Sequence, residues 1–210
     1  MSELLVRIFS SLAMIVIALM AAVLGGYYFA ILVASAATAM FYEWMRIVRG
    51  WGTAWGIGGF VYALLPALAL LWIRDRADNG IALLLWVFLI TWATDIGAFF
   101  VGRAMGRRRL APAISPGKTI EGLWGGVAAA TLFGSAWAWA TGLGKPLFVL
   151  APLLALVAQG GDLFESWMKR RAGLKDSGSW LPGHGGLLDR LDGLVPVAVL
   201  AVAAQAAGLT

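Results

Sequence analysis

Residues 80–101 read GIALLLWVFLITWATDIGAFFV, and this stretch decides the fold. Its one charged residue is Asp95. About 20 apolar residues in a helix cross a hydrocarbon layer of roughly 30 Å. Similar runs lie outward on both sides, at 8–24, 27–45, 54–73, 123–141, 146–165 and 193–209. Gly25-Gly26, Asp78-Asn79-Gly80 and Thr141-Gly142-Leu143-Gly144 supply turns between them. The expected fold is therefore an all-α, polytopic transmembrane helical bundle of about seven spans, one membrane domain over 1–210. Its parts are the N-terminal spans (1–101), a loop at 102–122, and the C-terminal spans (123–210) with a second loop at 160–193.

Composition agrees. Hydrophobic residues make up 61% and charged residues 13%, against roughly 25% charged in an average soluble domain. Mean hydropathy is +0.84. Collagen, disordered tails and soluble α/β enzymes are excluded. The chain has no cysteine, so disulfides, thiolate nucleophiles and cysteine-based zinc sites are excluded too. Met1–Ala22 has the charge-then-apolar layout of a signal peptide, but more spans follow, so it reads as a retained first span.

The net charge of +5 reads as basic membrane-protein loops, not as a nucleic-acid surface. Across seven spans, Arg7, Arg46, Arg49, Arg103, Arg107, Arg108, Arg109, Lys118, Lys169, Arg170, Arg171, Lys175 and Arg190 fall on one side. Arg74, Arg76 and Lys145 fall on the other, a split of 13 to 3 over the 16 basic residues. The positive-inside rule then puts the N-terminus and both long loops in the cytoplasm and the C-terminus outside.

Chemistry concentrates in those two loops. Asp162, Glu165, Ser166 and Lys169 follow an i, i+3, i+4, i+7 spacing, one polar stripe on a helix. A carboxylate as deep as Asp162 needs a cation, either a metal or a neighbour such as Lys169 or Arg170. Gly160-Gly161 thins the helix so that another backbone or a ligand can approach. Asp189 and Asp192 share a face just before the last span, so Asp162 and Asp189 bracket one loop at similar depth. Carboxylates meeting there would make a hard oxygen site suited to Mg²⁺. Lys169, Arg170, Lys175 and Arg190 are available to neutralise phosphate oxygens. Pro182-Gly183-His184-Gly185-Gly186 can bring backbone N–H groups close to an anion. His184 is a hydrogen-bond donor to phosphate, a turn-fixing group or a proton carrier.

The loop Ser115-Pro116-Gly117-Lys118-Thr119-Ile120-Glu121-Gly122 lacks the spaced glycines of a Walker A motif. Ser115, Lys118 and Thr119 can still form a phosphate-binding turn at a helix start, or simply a capped helix with an interfacial lysine. Asp95 is a functional candidate by its depth, or a buried partner for Arg103 or Lys118. Glu43 is weaker, with Arg46 three residues on to satisfy it. Arg107-Arg108-Arg109 reads as a headgroup-binding cluster.

These residues resemble the phosphatidate cytidylyltransferase family, also called CDP-diacylglycerol synthases. The resemblance rests on Ser166-Trp167-Met168-Lys169-Arg170, then Lys175-Asp176-Ser177-Gly178, then Leu181-Pro182-Gly183-His184-Gly185-Gly186-Leu187-Leu188-Asp189-Arg190-Leu191-Asp192. Gly161-Asp162-Leu163, Asp95–Arg103 and Ser115–Gly122 are also similar to the family pattern. Ile96, Phe99 and Gly117 depart from it, standing where Thr, Tyr and Lys are common.

The resemblance implies transfer of cytidylate from CTP to phosphatidic acid, giving CDP-diacylglycerol and pyrophosphate. It implies Asp162, Asp189 and Asp192 as metal ligands, with Mg²⁺ the main ion and a monovalent cation beside it. Asp162, Asp189, Lys169, Lys175 and His184 are then the catalytic candidates. Ser115, Lys118, Thr119, Ser166, Arg170, Gly185, Gly186, Arg190 and Asp95 are the substrate-binding candidates. Membrane lipids as partners, a homodimer, and a bacterial inner-membrane location with a cytoplasmic site go with the same expectation. Competing readings are a CTP-dependent enzyme acting on another lipid (an isoprenoid-alcohol kinase or a CDP-archaeol-type synthase) and a transporter using Asp95 and Asp162 as an ion path.

Overall fold

The computed structural model describes residues 3–178 and 185–208. Helices occupy all seven apolar stretches: α1 (Glu3–Leu24), α2 (Gly26–Ile47), α3 (Thr53–Arg74), α4 (Gly80–Met105), α5 (Ile120–Ala140), α6 (Pro146–Arg171) and α8 (Leu194–Ala206). A short helix, α7 (Leu188–Leu191), precedes α8. Four of them, α2, α3, α4 and α6, are long and apolar enough to cross a membrane by length and composition. Helix α8 has 13 residues, roughly 20 Å of rise.

The helix ends have local causes. Gly25 takes a φ of 66°, which breaks α1 from α2. The carbonyls that this break leaves open are taken by Arg74 at the end of α3. Its guanidinium donates to Ala22 O at 2.5 Å and to Val23 O at 3.0 Å. Helices α4 and α6 run past the predicted span ends at 101 and 165, to Met105 and Arg171. Hydropathy marks where apolar residues stop, whereas a helix continues through Arg103 or Lys169 into polar surroundings.

The segment expected as a loop at 102–122 contains a small antiparallel hairpin. Strand β1 (Arg109–Ala111) pairs with β2 (Ser115–Thr119), with Arg109 opposite Thr119 and Ala111 opposite Ser115. The all-α expectation is corrected to this extent. Lys118 therefore projects from a strand, and α5 begins directly after it.

Small residues set the closest packing. A Cβ at Gly97 of α4 would lie 2.7 Å from Gly125 O of α5, and one at Gly126 would lie 2.6 Å from Thr94 O. The two helices can approach only because both positions are glycine. Gly161 does the same for the site: a Cβ there would collide with the Asp192 carbonyl and Pro196. The approach expected at this thinned helix is made by the α7–α8 junction, which brings Asp192 beside Asp162.

Candidate active site

Two lysines organise the polar end of the bundle. Lys118, carried by β2, reaches across to α6. Its Nζ lies 2.7 Å from Asp162 Oδ2 and donates to Gln159 Oε1 at 2.6 Å. Ser166 Oγ donates to the other Asp162 oxygen at 3.3 Å. Lys169 lies between Glu165, four residues back on α6, at 3.1 Å and Asp189 Oδ1 at 2.5 Å. The helical stripe read from the sequence therefore forms, but its two ends serve different partners.

Asp189 is heavily tied. Its Oδ2 accepts from Ser177 N at 2.9 Å, Ser177 Oγ at 2.9 Å and Gly186 N at 2.8 Å. Burial alone would raise the carboxyl; the Lys169 hydrogen bond and the Gly186 N–H win and lower it to about 2. The Gly186 N–H, expected to face a bound anion, is spent on Asp189. Gly185 has a φ of 82°, and a Cβ on it would sit 2.8 Å from Asp189 Oδ2.

Asp192 accepts from its neighbour's Gly193 N at 2.7 Å. Burial and the Asp162 charge push its carboxyl up to about 7; the Gly193 N–H works against them and Asp95 adds to the rise. Asp162, Asp192 and Asp95 thus share one electrostatic neighbourhood with too much negative charge.

A cavity of about 1120 Å³ connects these groups. Its polar end is lined by Asp95, Ser115, Lys118, Thr119, Asp162, Asp189, Arg190 and Asp192, all predicted site residues, with Arg103, Arg109 and Gln159 added. Its other walls are apolar, from Met14 and Ile17 of α1, Phe29 and Val33 of α2, Ala67 and Leu70 of α3, and Phe88 and Trp92 of α4. Ser166, Lys169, Arg170 and Lys175 do not line it. Arg170 donates to Ile114 O and to Leu174 O, both at 3.2 Å, tying the hairpin to the end of α6. Lys175 is exposed. His184 lies outside the described residues.

Sequence reasoning passed over several residues. Arg103 had a legible signal: Asp95, Ala98, Phe99, Gly102 and Arg103 all line the cavity, at the i, i+3, i+4, i+7, i+8 spacing of one helix face. Gln159 likewise precedes Asp162 by three. Glu43 is the largest correction. It was assigned to Arg46, yet its carboxylate accepts from Ser177 Oγ, Leu187 N and Leu188 N at 2.8–3.0 Å. Glu165 is 1% exposed, and neither of its oxygens accepts a hydrogen bond from the described residues; Lys169 lies 3.1 Å from one of them.

Among the described residues, no three His, Cys, Asp or Glu side chains cluster tightly enough to hold a metal ion. The donor chemistry still fits a hard cation. The carboxylates in the cavity are all oxygen donors, and the Asp162 charge adds to the cost of ionising Asp192. Asp162 already carries one cation, the Lys118 ammonium.

A sequence model described as the cytidylyltransferase family matches residues 50–206. The chain belongs to the cytidylyltransferase family. It is 47% identical over 173 residues to the phosphatidate cytidylyltransferase of Brucella suis biovar 1 (strain 1330), covering 80% of this chain and 62% of that protein. The enzyme of that name from Pseudomonas aeruginosa is 38% identical over 178 residues, 82% of this chain and 66% of that protein. That of Bacillus subtilis (strain 168) is 42% identical over 123 residues, 57% of this chain and 46% of that protein. The chain thus spans less than two thirds of the length of the curated relatives it matches. Its apolar helices and this cytidylyltransferase kinship make it an integral membrane protein. The family match takes in both lysine–carboxylate pairs but begins after Glu43.

Proposed function

We propose that this cytidylyltransferase transfers cytidylate from CTP to phosphatidic acid. One observation carries the proposal: a single cavity runs from apolar walls on α1–α4 to a polar end holding Lys118, Arg103, Arg109, Arg190 and four carboxylates. Acyl chains suit the first part and a polyanionic nucleotide suits the second. A phosphate oxygen of the lipid attacks the α-phosphorus of CTP, a new P–O bond forms, and the bond to pyrophosphate breaks. The nucleophile is already ionised, so little general base is needed. Positioning and charge neutralisation do most of the work.

Asp162, with Asp189 and Asp192, would hold Mg²⁺, with a monovalent ion beside it. Mg²⁺ there would neutralise phosphate oxygens. Lys118 would hand Asp162 to the metal and turn its ammonium to a phosphate. Asp189 keeps lone pairs besides those that Lys169 uses, since a carboxylate offers about four acceptor sites. Asp95 marks the cavity wall on α4. The hairpin, with Ser115, would close over the nucleotide.

The arrangement in the membrane belongs to the same proposal: seven spans, N-terminus and site in the cytoplasm, C-terminus outside, in a bacterial inner membrane, as a homodimer. A reporter fused after Thr210 should be active outside the cytoplasm; cytoplasmic activity would put the span count off by one. The reaction itself is tested by incubating the purified chain with phosphatidate and CTP labelled in the cytosine ring, with and without chelator. Labelled lipid of CDP-diacylglycerol mass, lost with chelator, is the expected result. Lipid gaining only the γ-phosphate would mean a kinase and overturn the proposal.

A further inference from the structure

We propose that Glu43 of α2 is a positioning residue that ties Ser177 to Leu187 and Leu188 and so places Asp189 at the cavity. The inference rests on the proposed reaction for its activity readout, and on geometry for everything else. Glu43 is 1% exposed. A carboxylate so enclosed persists only where donors replace water. Three are supplied: Ser177 Oγ at 2.9 Å and Leu188 N at 2.8 Å on Oε2, and Leu187 N at 3.0 Å on Oε1. All three lie far from α2 in the sequence. Ser177 and the start of α7 are therefore held by one side chain from the N-terminal half of the protein.

The latch extends directly to the site. Ser177 Oγ lies 2.9 Å from Glu43 Oε2 and also 2.9 Å from Asp189 Oδ2. One hydroxyl proton serves two carboxylates, so the two move together. The same Asp189 oxygen takes the N–H groups of Ser177 and Gly186. Glycine is needed at two of these positions for the same reason. A Cβ at Gly186 would collide with Ser177 Oγ and crowd Glu43 Oε2, and a Cβ at Gly178 would collide with Glu43 Oε1. Glu43 fills the room those two glycines leave. The second glycine of the His-Gly-Gly stretch is thereby explained by a carboxylate 143 positions away in the chain, not by a bound phosphate.

Glu43→Gln keeps the volume but turns an acceptor into a donor that faces the N–H of Leu187 or Leu188. In the full chain, kcat should fall about ten- to hundredfold while the KM for CTP stays within about twofold. Glu43→Asp, which keeps both acceptors, should retain more activity than Gln. Combining Glu43→Gln with Ser177→Ala should cost little beyond Glu43→Gln alone, since both break one unit. Trypsin supplies a readout that does not depend on turnover: cleavage after the exposed Lys175 should be several-fold faster in Glu43→Gln, with cleavage after Arg76 unchanged.

Wild-type kcat in Glu43→Gln overturns the inference, and so does a fall in kcat with unchanged cleavage after Lys175. If the wild-type chain makes no cytidylated lipid, the reaction proposal fails and the cleavage ratio alone decides the latch. If Glu43→Gln does not accumulate folded, Ser177→Ala decides: faster cleavage after Lys175 supports the latch, and an unchanged rate overturns it.

Discussion

Lys118–Asp162 and Lys169–Asp189 are both lysine–carboxylate pairs at the same end of the bundle, yet they are built for opposite uses. The Asp162 side chain is 32% exposed and takes its lysine from a separate hairpin. The Asp189 side chain is 9% exposed and takes donors from Lys169 of α6, from Ser177 N and Oγ, and from Gly186 N. A half-buried pair whose lysine comes from a separate hairpin exchanges partners at less cost than one held by many donors. The first pair is the open one, lining the cavity with few partners; the second is a frame tied on several sides.

The most severe break of this contrast is Asp162→Asn. It keeps shape and removes the charge that faces the cavity. Turnover should fall about a thousandfold or more, equivalent to about 4 kcal/mol, with the thermal midpoint in detergent hardly changed. Asp189→Asn should abolish turnover as well but also lower the midpoint, because a framed acceptor is lost. The double variant should be hardly less active than either single one. An Asp162→Asn protein with near-normal activity in Mg²⁺ would remove Asp162 from the chemistry.

Lys118→Ala is the next largest. It removes the cation that Asp162 and a phosphate would share, and kcat/KM should drop roughly ten- to hundredfold, about 1.5–3 kcal/mol. Lys118→Arg should rescue only partly, since a planar fork replaces a point charge. Steady-state kinetics at fixed Mg²⁺ decide this. Kinetics unaffected by Ala would leave Lys118 as a hairpin anchor.

The part of both pairs that lies on α6 was more legible than the groups that reach it from elsewhere. Asp162, Ser166 and Lys169 sit within eight residues, so helical spacing alone puts them on one face. The hydropathy runs located every long helix, with ends off by six residues at most, because burial in an apolar phase leaves a long unbroken signal. Glu43 left no such signal. Its donors lie at positions 177, 187 and 188, and no local pattern connects α2 to them. Arg46 looked like its partner only because it was near in sequence. The hairpin was equally hidden: Ser115–Thr119 reads SPGKT, where Pro and Gly argue against a strand. Its pairing with Arg109–Ala111 is a tertiary outcome.

The framed half makes its own prediction in acid. The Asp189 carboxyl is held at about 2 in the folded chain, against 3.8 as its ordinary value. A lowered carboxyl contributes stability that is complete above its unfolded value and disappears as pH falls through the folded one. The contribution is about 2 kcal/mol. Stability against urea in detergent should therefore fall as pH drops from about 4 to about 2. Asp189→Asn should flatten that dependence. Lys169 stays charged throughout this window. An Asn variant with the wild-type slope would place the acid sensitivity elsewhere.

The smallest expected effect tests where the two halves meet. Thr119 lies at the end of β2, one residue after Lys118, and lines the cavity. It was a phosphate-binding candidate and a helix cap at once. Its hydroxyl accepts from Gly122 N at 3.0 Å, and its φ of −124° and ψ of 155° are the extended values of a cap residue. The side chain is 6% exposed, and α4 closes around it, for a Cβ at Gly102 would lie 3.1 Å from its oxygen. A hydroxyl so enclosed has little room for a phosphate. Thr119→Ala should then cost about 1 kcal/mol of stability, with the KM for CTP within about twofold of wild type. Thr119→Ser should restore most of the loss, since the cap needs only the oxygen. A tenfold rise in KM at unchanged stability would give the hydroxyl proton to the nucleotide instead and extend the open half of the site by one residue.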